Sequence, residues 1–213
     1  MEMREYPSDK EAKAVIVGIG RLMYEKNFVA ANDGNISCKV AENAIWITPS
    51  GMSKGFLNEN MLVKIDMSGK VLEGRAKVSS EYRMHLKVYE QNEEVGAVVH
   101  AHPPIATAFA IAGIPLDKPI YAESIAFLGE VPIAPYGRQG TDEIPKNIEP
   151  YCNDYKALLL ANHGALAWGS DLTEAWYRLE SLEHYAMVTM YTKNLGNANE
   201  LNAEEVAFLK GNR

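Results

Sequence analysis

The sequence predicts an α/β domain with antiparallel hairpins in its N-terminal half, and three observations carry that expectation. Short runs rich in Val, Ile and aromatic residues are separated by turn-rich segments such as 31–37 and Met67-Ser68-Gly69, the pattern of paired strands. Segments that open on capping residues, at Ser8 and Asp171, carry apolar residues at helical spacing. The 213 residues are 47% apolar and 23% charged, enough for one full core, so 1–213 is read as a single domain.

In chain order, Ser8-Asp9-Lys10-Glu11 has the form of a capping box. Val15, Ile19, Leu22 and Met23 behind it predict a helix to about Lys26. Asn32-Asp33-Gly34-Asn35 turns the chain into a strand at Cys38-Lys39-Val40, and Ala44-Ile45-Trp46-Ile47-Thr48 is the next, ended by Pro49-Ser50-Gly51. Residues 61–66 and 70–74 flank Met67-Ser68-Gly69 as a second hairpin, and Ser79-Ser80-Glu81 opens a helix bearing Met84 and Val88. A strand at 97–102 stops at Pro103-Pro104, followed by a short buried helix over 105–112. A short strand is expected at Val131-Pro132-Ile133 and a helix from Thr141 to Ile148. Two further strands are expected, over 157–161 and 165–169. The longest helix follows Asp171, with Leu172, Ala175, Trp176, Leu179, Leu182, Ala186 and Met190 on its apolar face. The polar tail over 202–210 reads as a last helix.

Composition excludes several functions. A net charge of -7 argues against non-specific nucleic-acid binding and gives no basic face for a membrane. No apolar run approaches the ~20 residues of a spanning helix, and Met1-Glu2-Met3-Arg4-Glu5 is not a signal peptide. Cys38 and Cys152 stand far apart without a C-x-x-C, as thiols of a reducing, cytoplasmic setting.

The chemistry concentrates in polar residues at the ends of apolar strands. In Ala97-Val98-Val99-His100-Ala101-His102, period-2 alternation puts both imidazoles on one side of an extended chain, half of a first-row metal site. The run Ala157-Leu158-Leu159-Leu160-Ala161 delivers Asn162-His163-Gly164, and a buried imidazole there needs a partner, which metal ligation would supply. Three imidazoles with an open fourth position suit a catalytic zinc ion, with cobalt and manganese also compatible. Residues 32–37 read either as a hairpin corner or as an anion cradle. In the cradle reading Gly34 turns backbone N–H groups toward a phosphate, while Asn35 and Ser50 add side-chain donors. Glu81 reads either as a first-turn helix residue or as a carboxylate for the metal or for proton transfer. His85 and His184, each alone on a helix, read as structural or solvated. A divalent cation beside a phosphate pocket suits polarisation of a phosphorylated keto sugar, with Glu81 moving the proton and no covalent lysine required.

The ordered set Gly34-Asn35-Ile36-Ser37, Ile47-Thr48-Pro49-Ser50-Gly51, Ser79-Ser80-Glu81, His100-Ala101-His102, Ala134-Pro135-Tyr136 and Asn162-His163-Gly164 resembles the class II aldolase/adducin family over nearly the whole chain. The resemblance implies a three-layer α/β/α fold with a largely antiparallel central sheet. It implies zinc on His100, His102 and His163, with Glu81 both approaching the metal and acting as acid/base. Gly34, Asn35, Ser50, Gly51, Ser79 and Ser80 would hold the substrate phosphate, and Tyr121 would reach a neighbouring subunit's site to protonate the aldehyde oxygen. The assembly implied is a homotetramer with sites between subunits. The reaction implied is reversible cleavage of a ketose 1-phosphate, L-fuculose 1-phosphate or a similar deoxy sugar phosphate, to dihydroxyacetone phosphate and an aldehyde. Decarboxylases and dehydratases of the family also keep a glutamate at Glu81, whereas its 4-epimerases carry aspartate there. The aldolases use a second tyrosine from a C-terminal tail. The last tyrosine of this chain is Tyr191, inside the long helix. Retention of all three histidines argues against the non-enzymatic, adducin-like branch.

Overall fold

Ser8 opens the first helix through a full capping box: its hydroxyl accepts from the Glu11 N–H, and the Glu11 carboxylate accepts from the Ser8 N–H. In the computed structural model of the protein, residues 5–211 are described. Residues 1–4, which carry most of the signal-peptide expectation, lie outside them. Helix α1 (Asp9–Glu25) leads to strands β1 (Asn35–Ala41) and β2 (Ala44–Ile47), a hairpin. Strands β3 (Val63–Ile65) and β4 (Val71–Glu73) form the second hairpin. It is shorter than the sequence suggests because residues 59–61 wind into a 3-10 turn.

Helix α2 (Tyr82–Gln91) precedes β5 (Ala97–Ala101), and α3 (Pro104–Ala112) starts on the second proline, whose fixed φ suits a first helical turn. Helix α4 (Ala122–Phe127) is an addition to the sequence reading; six residues are too few for a helical period to show. Then come β6 (Ile133–Ala134), α5 (Glu143–Ile148), β7 (Ala157–Leu160), β8 (Gly164–Gly169), α6 (Leu172–Leu195) and α7 (Ala203–Gly211). Asp142 rather than Thr141 caps α5, while the Thr141 hydroxyl accepts from the Glu143 N–H at 3.2 Å.

The strands form one eight-stranded sheet in the order β4-β3-β2-β1-β5-β8-β7-β6. Every neighbouring pair is antiparallel except β6 and β7, so the sheet is mixed. The exception follows from connectivity: α5 carries the chain from β6 to β7, and a helical crossover between adjacent strands returns the second parallel to the first.

Side-chain alternation divides the core into two clusters, one per face. Ala97, Val99, Ala157, Leu159, Ala165 and Ala167 meet Ile16, Met23, Phe109, Trp176 and Leu179 of α1, α3 and α6. Val98, Leu158, Leu166 and Trp168 meet Met84, Val88, Ile144 and Ile148 of α2 and α5. The first face is rich in alanine, which leaves room for α6 to lie close to the middle strands. Cys38 and Cys152 fall in different clusters, are buried, and form no disulfide. Among the described residues no helix is long and apolar enough to cross a membrane.

Glu183 of α6 holds the start of α3. Its buried carboxylate accepts from the N–H groups of Ile105 at 3.0 Å and Ala106 at 2.7 Å, satisfying first-turn donors that Pro103 cannot cap. Glu183→Ala leaves two N–H groups of α3 without an acceptor, one of them buried. The expected loss is roughly 2–4 kcal/mol of unfolding free energy by urea denaturation, with Glu183→Gln recovering part of it.

Candidate metal centre

Antiparallel pairing of β5 with β8 puts His100 opposite Leu166, and the tight turn between β7 and β8 lifts His163 to the same end of the sheet. That turn runs through Asn162 at φ +55°, a left-handed conformation that asparagine tolerates better than most residues. Gly164, at the start of β8, must be glycine on packing grounds. A Cβ on Gly164 would lie 2.5 Å from His102 Cδ2 and 2.6 Å from the Ala101 carbonyl oxygen. Gly34 is constrained similarly, with φ +76° and a Cβ position 2.9 Å from the His100 carbonyl oxygen.

His100, His102 and His163 each offer one ring nitrogen, all within 4.8 Å of one another, so the three could hold a metal ion. Outer partners hold two of the rings. His100 Nδ1 donates to the Ala165 carbonyl at 2.9 Å, and His102 Nδ1 faces the Asp33 carboxylate at 3.3 Å, an acceptor. His100 Nδ1 therefore carries that ring's proton, and the Nε2 atoms of the two rings lie 3.2 Å apart. Both point into one gap, where a cation would find two imidazole ligands. Tetrahedral zinc with 2.0–2.1 Å bonds to nitrogen would separate its ligands by about 3.3 Å.

Glu81 closes the group. It stands at the N-cap position of α2, and its side chain makes no capping hydrogen bond there. Its Oε2 accepts from Asn35 Nδ2 at 2.8 Å and lies 3.5 Å from His100 Nε2, while Oε1 lies 3.2 Å from His163 Nε2. Glu81 Oε1 and His163 Nε2 are buried without a hydrogen-bond partner, a costly state that a bound cation would relieve. The residues present fit a divalent metal.

Electrostatics agree. Burial, and then repulsion from His102, depresses His163 to about 4; burial and the neighbouring histidines hold His100 well below the ordinary value. Both rings are neutral at neutral pH, as ligands must be. Burial raises Glu81 above the ordinary carboxylate range, with the Asn35 hydrogen bond and His102 opposing it.

The expected cradle residues lie on the same rim. Asn35 begins β1 directly opposite His100, and Gly34 precedes it. The Ser50 N–H donates to the Lys77 carbonyl at 2.8 Å and Pro49 bridges to Val78, which brings Ser50-Gly51 beside Ser79-Ser80. Tyr121 occupies the N-cap position of α4, and its ring packs against His184 at 5.7 Å. His184 is exposed, in keeping with a solvated role.

Sequence reading missed three contributors. Asp33 backs His102 and adjoins the Gly34 turn that had drawn notice. His85 is fully buried, four residues after Glu81 on α2, and that one-turn spacing was the available signal. Lys54 carried none. It is buried, and its Nζ donates to the carbonyls of Asn32 at 2.9 Å and Met52 at 2.7 Å, tying together the turns that carry Gly34 and Ser50. Burial lowers its pKa to about 8, against the pull of Asp33 and Glu81.

Residues 14–190 match the model of the Class II Aldolase and Adducin N-terminal domain, and the chain belongs to that family. It is 35% identical over 180 residues to an L-fuculose phosphate aldolase of Methanococcus maripaludis, covering 84% of this chain and 96% of that one. It is 34% identical over 184 residues to a 3-oxo-tetronate 4-phosphate decarboxylase of Haemophilus influenzae, covering 84% and 87%. The crystal structure of YgbL from Klebsiella pneumoniae, described as an aldolase/epimerase/decarboxylase, superposes with a TM-score of 0.89 at 29% identity, covering 95% and 99%.

Lys54 gives a pH signature. Between about 8 and 10.5 the unfolded lysine holds a proton that the folded one has lost, so unfolding free energy rises with pH across that window, by up to about 3 kcal/mol. Urea titrations from pH 7.5 to 10.5 are expected to show that rise in the wild type and a flatter profile in Lys54→Met.

Proposed function

We propose that this chain is a metal-dependent aldolase that reversibly cleaves a ketose 1-phosphate, L-fuculose 1-phosphate or a similar deoxy sugar phosphate, to dihydroxyacetone phosphate and an aldehyde. The observation that carries the reading is Glu81 Oε1: a carboxylate oxygen buried without a hydrogen-bond partner, 3.2 Å from Nε2 of His163, which with His100 and His102 could hold a metal ion. His100, His102 and His163 would hold zinc, or cobalt or manganese, with Glu81 completing the donor set before substrate arrives. When bound, the ion supplies the Lewis acid that polarises the ketone carbonyl and offsets negative charge developing beside it.

The other roles belong to this chain. Gly34, Asn35, Ser50, Gly51, Ser79 and Ser80 would bind the phosphate through N–H and hydroxyl donors, above the charge of Lys54. In the condensation direction Glu81 would remove a proton from the hydroxymethyl carbon of dihydroxyacetone phosphate. The electron pair left there forms the new bond to the aldehyde carbon, and the aldehyde oxygen takes a proton. Tyr121 of a neighbouring copy would supply that proton, in a homotetramer with sites between subunits. Cleavage reverses these steps, and Glu81 returns its proton to carbon. A second reading, decarboxylation of a 3-oxo acid phosphate, has the Haemophilus relative in its favour.

The zinc-loaded protein is expected to release dihydroxyacetone phosphate from at least one of fuculose, rhamnulose and 5-deoxyribulose 1-phosphates, and a chelator is expected to abolish the release. Carbon dioxide from a 3-oxo acid phosphate, with no sugar cleaved, would establish the second reading instead. Glu81→Gln should retain zinc by elemental analysis while kcat falls about 100-fold or more. His163→Ala should lose the metal. An unchanged kcat in Glu81→Gln would remove that residue from the chemistry.

A further inference from the structure

Behind Glu81 runs a line of buried polar side chains formed by Asn35, His85, Ser37 and Tyr89. Asn35 Nδ2 meets Glu81 Oε2 at 2.8 Å, and Asn35 Oδ1 is in short contact with His85 Nε2. His85 Nδ1 lies 2.7 Å from Ser37 Oγ, which lies 2.8 Å from the Tyr89 hydroxyl. Asn35, Ser37, His85 and Tyr89 are all nearly or fully inaccessible to solvent, so water cannot replace a missing partner.

Chemistry sets the direction of each bond. An ionised Glu81 only accepts, so the Asn35 amide must present its NH2 group there, leaving Oδ1 toward His85. A carbonyl oxygen only accepts, so His85 Nε2 must carry the ring proton. Nδ1 then holds a lone pair, the Ser37 hydroxyl donates to it, and the Tyr89 hydroxyl donates to Ser37. The opposite polarity runs equally far, but it begins with a protonated Glu81 that donates to Asn35 Oδ1 and ends with the proton of His85 on Nδ1. The tautomer of a ring two hydrogen bonds away therefore reports, and constrains, the state in which Glu81 is held.

We propose that His85 is a positioning residue of the site. In the Nε2–H tautomer, with Nδ1 accepting from Ser37, it fixes the Asn35 amide so that Asn35 engages Glu81 Oε2 and leaves Oε1 as the oxygen that exchanges protons with substrate. The catalytic part of this proposal rests on the aldolase reading; the geometric part does not. Burial depresses His85 to about 3, so the ring is neutral throughout the working range, as a tautomer device requires. One NH2 hydrogen of Asn35 remains for the cradle, so the two roles of that side chain are compatible.

Two measurements test it. Long-range proton–nitrogen spectra of metal-free protein carrying 15N-histidine should show His85 with Nε2 protonated and Nδ1 not. Ser37→Ala, three hydrogen bonds from Glu81, should lose that single state. In the zinc-loaded enzyme His85→Leu should lower kcat about 100-fold, with KM and zinc content within twofold of wild type. His85→Gln, which keeps an N–H donor, should recover at least tenfold of that loss. A wild-type His85 protonated on Nδ1, a Ser37→Ala spectrum identical to wild type, or a KM that rises while kcat holds would overturn the proposal. Should His85→Leu fail to fold, Ser37→Ala decides by the same criteria. Should wild type cleave no sugar phosphate, the aldolase reading falls by itself, and the two spectra alone uphold or overturn the positioning of Asn35.

Discussion

Imidazole lone pairs directed at one buried point repel one another, and the centre of this molecule is arranged to keep them there. His100 and His102 bring their Nε2 atoms to 3.2 Å of one another. The Ala165 carbonyl and the Asp33 carboxylate keep the rings from rotating apart by holding each Nδ1, and burial keeps His100 neutral. Gly164 lets β8 approach closely enough for His102 to keep its place. The strand order β1-β5-β8 follows from the same need, because only adjacent strands bring residues 35, 100 and 163 to one rim. Preorganisation of this kind trades folding stability for a site that needs no rearrangement to accept a cation.

The same trade recurs around the histidines. Helix α2 starts without a side-chain cap because Glu81 faces the site, and the Ser79 carbonyl accepts the Tyr82 N–H in compensation. Lys54 is buried against two carbonyls, its positive charge countering Asp33 and Glu81. Glu183 anchors α3 immediately after the His102-Pro103-Pro104 stretch, so the segment leaving the centre is as firmly held as the strands entering it.

What could be read from the sequence was whatever depends on local pattern. Strand alternation placed His100 and His102 on one side, capping residues located α1 and α6, and the polar ends of two apolar strands marked the histidines. The order of the short motifs then identified the family. Information that exists only in three dimensions stayed out of reach. Lys54 is an ordinary loop lysine until the 32–35 and 50–53 turns are brought together. His85 reads as a lone helical histidine until Asn35 arrives from β1. The parallel pairing of β6 was hidden because its two residues carry no period, and α4 because a six-residue helix has no repeat to detect.

Aldol cleavage and decarboxylation of a 3-oxo acid pass through the same kind of electron-rich fragment beside a phosphate, which is why one scaffold can serve both. They differ in what they ask of the carboxyl group. Decarboxylation needs an acid only to protonate the carbon left when carbon dioxide departs. Reversible aldol chemistry needs one group to give a proton to carbon in one direction and take it back in the other, so its affinity for the proton must be intermediate. In Glu81 burial favours the neutral form, while Asn35 and the nearby His102 favour the charged form. Asn35 holds Oε2 while Oε1 has no hydrogen-bond partner, so the two oxygens meet different surroundings, and either chemistry would find one oxygen stabilised and the other open to a proton.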